Sequence, residues 1–208
     1  MNSFKQALNQ LNSSWKNSLI LGALATFFIF LVRYIPWGSA FVMSFGILIF
    51  QEVARNLVVT ASWRPHSQFL RKEWIPYLIT SLILLPTSVL LGSALGILES
   101  PQTLLATAPM SLGLLILAVY FYLVLSQALR LHSERNESLA KAIDIVGLAS
   151  LKNFRLYFAL SFYFGLLILI SGMTKGVGLL VTLPLLFYAN HFAYVEMNQR
   201  GFTAPVRQ

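Results

Sequence analysis

Two apolar runs, Phe154–Met173 and Gly176–Tyr194, lie back to back with only Thr174 and Lys175 between them. Each is close to the roughly 20 residues that an α-helix needs to cross a hydrocarbon layer about 30 Å thick. Backbone polar groups in lipid must be satisfied within their own segment. Two such runs joined so tightly are therefore expected to form an antiparallel pair of membrane-spanning helices.

The rest of the chain reads the same way. The 208 residues are 57% hydrophobic and 11% charged, against about 25% charged in a soluble domain. The fold class expected is all-α, a polytopic membrane protein with six spans at about 18–34, 38–58, 74–98, 106–130, 154–173 and 176–196. These form a single membrane domain over 1–208: an N-terminal unit (1–58), a second hairpin (74–130) and a C-terminal unit (138–197). The N-terminal segment is polar and amphipathic and its apolar run leads straight into another, so it is read as a span and not a cleavable signal peptide.

Charge sets the expected orientation. Of the fifteen Lys and Arg residues, only Arg33 and Lys175 fall on one side of these spans. The remainder gather on the other, which the positive-inside rule makes cytoplasmic, with both termini there. Trp15, Trp37, Trp63 and Trp74 all fall at span ends, where amphipathic rings settle. The far side keeps only the RYIPWG, LESPQT and GMTKG turns. The basic balance is accounted for by orientation, and no nucleic-acid partner is expected.

Two amphipathic segments precede spans. In SLAKAIDIVGLASLKN, Leu139, Ala142, Ile143 and Val146 fall at i, i+3, i+4 and i+7, with Lys141 and Asp144 off that face. Near the N-terminus Phe4, Ala7, Leu8, Leu11 and Trp15 do the same. Such helices are expected to lie at the membrane interface, their cations drawn to anionic lipids or to a partner. An ungapped offset of 136 pairs Lys5/Lys141, Ser14/Ser150, Lys16/Lys152, Asn17/Asn153, Ala23/Ala159, Leu24/Leu160 and Phe28/Phe164. A parallel internal repeat fits these matches, as do two unrelated segments of common apolar pattern. A true repeat is expected to place the third and fourth spans at the centre.

Helix breakers mark further positions. Pro86 and Pro184 stand mid-span and free a backbone carbonyl each. Gly92 and Gly96 form a GxxxG that permits close helix packing, and Gly176 and Gly178 open the last span. The polar intramembrane residues are Glu52 and Arg55, an i, i+3 pair, and Asn190 with His191, expected to bond across helices. Glu196 and Arg200 form an i, i+4 pair.

The catalytic inventory is empty. There is no Cys, hence no disulfide, thiolate ligand or cysteine nucleophile. GxSxG, Walker A and HExxH motifs are missing. His66, His132 and His191 lack ligand spacing, so neither metal nor cofactor is expected. The surface expected to meet lipid or a protein partner comprises Lys5, Trp15, Lys16, Arg64, Arg71, Lys72, Lys141, Lys152 and Arg155.

The segments Ser150–Asn153 and Gly176–Pro184 resemble the C-terminal hairpin of a family of six-span bacterial inner-membrane proteins. That family is similar to the membrane domain attached to some glycerophosphodiester phosphodiesterases. The resemblance implies an inner-membrane helical bundle and no catalytic residues, and the hydrolase domain has no counterpart here. Leu139–Ser150, with Ala140, Ala142 and Gly147, is similar to the coupling loop of ABC-transporter permeases but lacks their Glu-Ala-Ala run. Six spans with both termini inside are similar to vitamin-uptake substrate-binding subunits, with small residues in the GALAT stretch where such subunits meet partners. The expected function is a non-enzymatic membrane subunit, scaffold or lipid-organising accessory; the alternative is a transporter or channel component for a small solute.

Overall fold

A computed structural model describes residues 2–32, 39–63, 74–86, 104–174, 176–200 and 202. The described residues form eight helices: α1 (Asn2–Ser13), α2 (Trp15–Val32), α3 (Ser39–Thr60), α4 (Trp74–Ile83), α5 (Leu104–Arg135), α6 (Leu139–Lys152), α7 (Phe154–Met173) and α8 (Leu179–Gln199). Four are long and apolar enough to cross a membrane: α2, α3, α5 over Ala108–Arg135, and α7 over Phe154–Gly172. Six spans were expected. The third is described only as the ten-residue apolar helix α4, and the rest of it lies outside the described residues. The sixth forms α8, whose 21 residues are long enough, but Asn190, His191 and Glu196 lower its hydropathy and it is not among the four.

Burial explains how α8 carries those polar groups. Every residue from Thr182 to His191 is buried, so the helix is wrapped on all sides and its solvent is protein. α1, α2, α3 and α7 pack on it, whereas α6, α7 and α4 pack on α5. Among the described residues α5 and α8 are the two helices on which most of the others pack; most of the third span, expected at the centre with the fourth, lies outside the described residues.

Small residues let α2 approach α8. Ser14, Ser18, Gly22 and Thr26 recur every four residues, and Ser18, Gly22 and Thr26 are buried. At Gly22 the backbones meet so closely that a Cβ would lie 1.8 Å from the Leu180 carbonyl oxygen. Ser18 Oγ and Tyr188 Oη are 3.1 Å apart, one donating to the other. The small residues of the GALAT stretch, expected to face a partner, are therefore used in part within the chain: Gly22, Ala25 and Thr26 are buried.

The amphipathic helices differ from expectation in the same way. Ser3 and Ala7 of α1, and Ala142, Val146 and Ala149 of α6, are 0% exposed. These faces pack on α8 and α5, not on lipid. What is left for lipid is the opposite edge, with Leu148 60% and Leu151 65% exposed.

Each amphipathic helix is broken from its span by one residue whose side chain competes for backbone acceptors. Ser14 Oγ donates to Gln10 O at 2.7 Å, alongside its own N–H at 3.0 Å. Asn153 Nδ2 donates to Ala149 O at 2.9 Å, and its N–H to the same carbonyl at 3.0 Å. Ser14 and Asn153 are not partners in the 136-residue offset, which pairs Ser14 with Ser150. The two units share an arrangement but break three residues out of that register.

Turn chemistry closes the connections. Asn136 takes a positive φ of 53° after α5, which asparagine tolerates. Ser138 then caps α6 by accepting the Lys141 N–H at 3.3 Å. Between α7 and α8, Gly176 adopts φ +85°, a conformation that favours glycine. Gly178 sits against Ser171, where a Cβ would come within 2.5 Å of Oγ.

Candidate functional site

The charged side chains of α3, α5 and α8 all stand in the C-terminal halves of those helices, Glu52 and Arg55 on α3, Arg130, Glu134 and Arg135 on α5, and Glu196 on α8. Three helices carry the same polar triplet at i, i+1 and i+4 there: Gln51, Glu52 and Arg55 on α3; Ser126, Gln127 and Arg130 on α5; Asn190, His191 and Tyr194 on α8. That spacing puts each triplet on one helical face. All nine side chains, with Tyr77 of α4, line one cavity of about 20 Å³, room for about one water.

The outer layer of this site is ionic. Arg55 donates Nη1 to Glu52 Oε1 at 2.9 Å and Nη2 to Glu134 Oε1 at 3.0 Å. Arg130 donates Nε to Glu134 Oε1 at 2.9 Å, and its guanidinium lies 3.9 Å over the Tyr194 ring. Tyr194 Oη donates to Glu134 Oε2 at 2.7 Å, and Tyr77 Oη to Glu52 Oε2 at 3.3 Å. Two guanidiniums therefore face two carboxylates and the layer is formally neutral. Arg130 Nη1 also sits 2.9 Å from His191 Nδ1. Guanidinium only donates, so Nδ1 accepts and the imidazole proton is assigned to Nε2.

The inner layer is neutral throughout. Gln127 Nε2 donates to Asn190 Oδ1 at 2.9 Å, and Asn190 Nδ2 to Ser126 Oγ at 2.7 Å. Tyr157 of α7 donates Oη to Gln127 Oε1 at 2.6 Å. Tyr122 Oη donates to Gln51 Oε1, while Gln51 Nε2 donates to Phe187 O at 3.1 Å. α5 and α8 are joined here by long side chains more than by close backbones, and α3, α5, α7 and α8 meet in one hydrogen-bonded layer.

The expected residues distribute as follows. Glu52 with Arg55, and Asn190 with His191, come together in the site, and Glu196 pairs with Arg200 at 3.2 Å while accepting from Ser3 Oγ at 2.9 Å. Lys5, Lys16, Lys152 and Arg155 are exposed; Lys16 lies 5.9 Å over the Trp15 ring. Lys141, 61% exposed, pairs with Glu137 at 2.7 Å. Pro184 is buried within α8 and Pro86 is exposed. Arg64, His66, Arg71, Lys72, Gly92 and Gly96 lie outside the described residues. Among the described residues no three His, Asp or Glu side chains gather as a metal site would need.

The sequence pattern did not single out Gln127, Glu134, Tyr77, Tyr122 or Tyr157, and Arg130 entered only as one of the basic residues that set the expected orientation. The expected fourth span ends at 130, with charge as the membrane boundary. The signal was present in the spacing: Tyr122, Ser126, Arg130 and Glu134 follow one another every four residues, a polar stripe inside an apolar run.

The class that these observations define is an α-helical membrane protein with a charge-balanced polar layer at its basic end. No family model, curated protein or solved structure matches the chain.

Proposed function

We propose that this is a non-enzymatic protein of a bacterial inner membrane, both termini cytoplasmic, that associates with anionic lipid as a membrane subunit or lipid-organising accessory. The observation that carries the reading is the chemistry of the two helix breaks. Trp15 is 55% exposed beside exposed Lys16; Leu151 and Phe154, 65% and 52% exposed, flank Lys152 and Arg155. Each break thus sets an apolar group for the acyl boundary beside a cation for the headgroup plane. Lys16, Lys152 and Arg155 have no ion-pair partner among the described residues, which leaves their charge for lipid phosphate.

A solute pathway has less support. The polar cavity has room for about one water, and its hydrogen-bonding groups are matched to one another.

The test is lipid selectivity in reconstituted bilayers, read from spin-labelled phosphatidylglycerol and phosphatidylcholine at the protein surface. A cation near the surface contributes about 1 kcal/mol toward anionic lipid, roughly a five-fold preference. The wild type should prefer phosphatidylglycerol, and Lys16→Gln/Lys152→Gln/Arg155→Gln should lose most of that preference. Selectivity unchanged in the triple variant contradicts the proposal.

A further inference from the structure

The two helix breaks present similar cations, but the helix faces below them differ. On α7, Arg155, Phe158 and Phe162 stand at i, i+3 and i+7, which is one helical face, and all three are exposed. Phe154 flanks that face. The three phenylalanine rings form a ladder. Phe154 stacks on Phe158 with centroids 5.5 Å apart and planes at 25°, and Phe158 on Phe162 at 6.4 Å and 27°. The inner end of the ladder is anchored: Phe162 meets Tyr163 edge-on at 6.3 Å, and Tyr163 stacks on Phe4 of α1 at 6.1 Å.

α2 has no such ladder. Below Lys16 its exposed residues are Leu19, Ile20, Ala23 and Leu24, and Phe27 follows only further along. The difference is one of rigidity as well as of shape. A phenylalanine has two side-chain torsions and offers a large contact area at low conformational cost. An acyl chain laid against stacked rings therefore gains contact without ordering the protein, whereas leucine and isoleucine side chains must themselves be ordered.

Length and charge select the occupant. Phe154 to Phe162 covers about 12 Å of helix at about 1.5 Å per residue, most of the roughly 15 Å of hydrocarbon in one leaflet. The ladder thus lies in the leaflet whose headgroups are level with Lys152 and Arg155. α7 has no acidic residue, and its first turn carries the positive end of the helix dipole. An exposed cation pair above a rigid apolar strip one leaflet deep matches an anionic headgroup above an acyl chain.

We infer that the break at Asn153 is a site for one anionic phospholipid, its phosphate on Lys152 and Arg155 and one acyl chain along Phe154, Phe158 and Phe162. The inference rests on the anionic-lipid reading given above and deepens it: the α7 break holds a lipid, and the α2 break only attracts lipids in passing.

The experiment is native mass spectrometry of the full chain taken from bilayers of equal palmitoyl-oleoyl phosphatidylglycerol and phosphatidylcholine. One phosphatidylglycerol should stay bound at collision energies that strip phosphatidylcholine. Lys152→Gln/Arg155→Gln should lower its retention at least about five-fold. Phe158→Leu/Phe162→Leu, which keeps the surface apolar and removes two rings, should lower it about three-fold. Lys16→Gln should leave it unchanged, and circular dichroism certifies each fold. The site is overturned by equal retention of both lipids in the wild type, by wild-type retention in the leucine variant, or by an equal loss in Lys16→Gln. A lipid-free dimer, the outcome if the ladder instead meets a second copy, also overturns it. The wild-type ranking and the Lys16→Gln arm decide the matter even where the leucine variant fails to fold. Each of these results is compatible with a surface preference in the spin-label measurement, so the site can fail while that reading stands; a wild type without that preference removes both.

Discussion

Replacing Gly22 with alanine should cost far more than one methyl group ordinarily does. The added carbon would sit 1.8 Å from Leu180 O, 2.7 Å from its carbonyl carbon and 3.0 Å from its Cα. All three are backbone atoms of α8, so no side-chain rotation relieves the contact. Ordinary van der Waals separation requires α2 and α8 to part by roughly 1.5 Å, and a gap of even 0.5 to 1 Å forfeits about a quarter to a half of each dispersion contact along the seam. The Ser18–Tyr188 hydrogen bond, now 3.1 Å, would stretch beyond reach; such bonds are worth about 0.6 to 2 kcal/mol in membranes. Together with about 1 to 3 kcal/mol for overpacking, the expected loss is about 3 kcal/mol. Gly147, where a Cβ meets nothing within 4 Å, is the internal control. Alanine there should be neutral or stabilise α6 by up to about 1 kcal/mol through helix propensity. Reversible unfolding in mixed micelles measures both. Gly22→Ala matching Gly147→Ala in stability would refute the close backbone contact and the helix arrangement built on it.

The polar layer yields further predictions by the same assay. Arg130→Met removes the donor to Glu134 and His191 and the cation over Tyr194; with the side chain only 15% exposed, it should cost about 2 to 4 kcal/mol. Adding Glu134→Met should recover part of that loss, a coupling of at least about 1 kcal/mol in a double-mutant cycle, and strict additivity would show that the pair is not linked. Gln127→Leu leaves Tyr157 Oη and Asn190 Oδ1 without their partner and should cost about 1 to 3 kcal/mol, whereas Gln6→Leu, exposed on α1, should change stability by less than about 0.5 kcal/mol.

Much of this architecture is legible in the sequence because lipid imposes a simple rule on length and polarity. The fifth span was expected at 154–173 and α7 occupies those residues; α2 and α3 begin and end within a few residues of expectation. At α5 and α8 the same rule found the helices, expected at 106–130 and 176–196, but not the polar layer they carry. Hydropathy averages treat Arg130, Glu134 and Asn190 as penalties wherever they occur, although a matched partner on another helix removes most of the cost. That information is tertiary. The amphipathic faces show a related ambiguity: an apolar stripe with small residues such as Ala7 and Ala149 serves packing against protein as well as contact with lipid, and only the packed bundle distinguishes the two. Part of the site was nonetheless visible in the i, i+1, i+4 polar triplets, a periodicity as regular as the apolar one.

The account rests on every charged terminus of these helices lying on one side of a membrane, the cytoplasmic one. The chain has no cysteine, so single replacements at Lys16, Lys141 and Gln199, and at Val177 in the α7–α8 turn, can be labelled with an impermeant maleimide in vesicles of known sidedness. The account predicts labelling of the first three only from the cytoplasmic face and of Val177→Cys only from the opposite face. Labelling of Val177→Cys and Lys141→Cys from the same side, or of the basic set from outside, would contradict it.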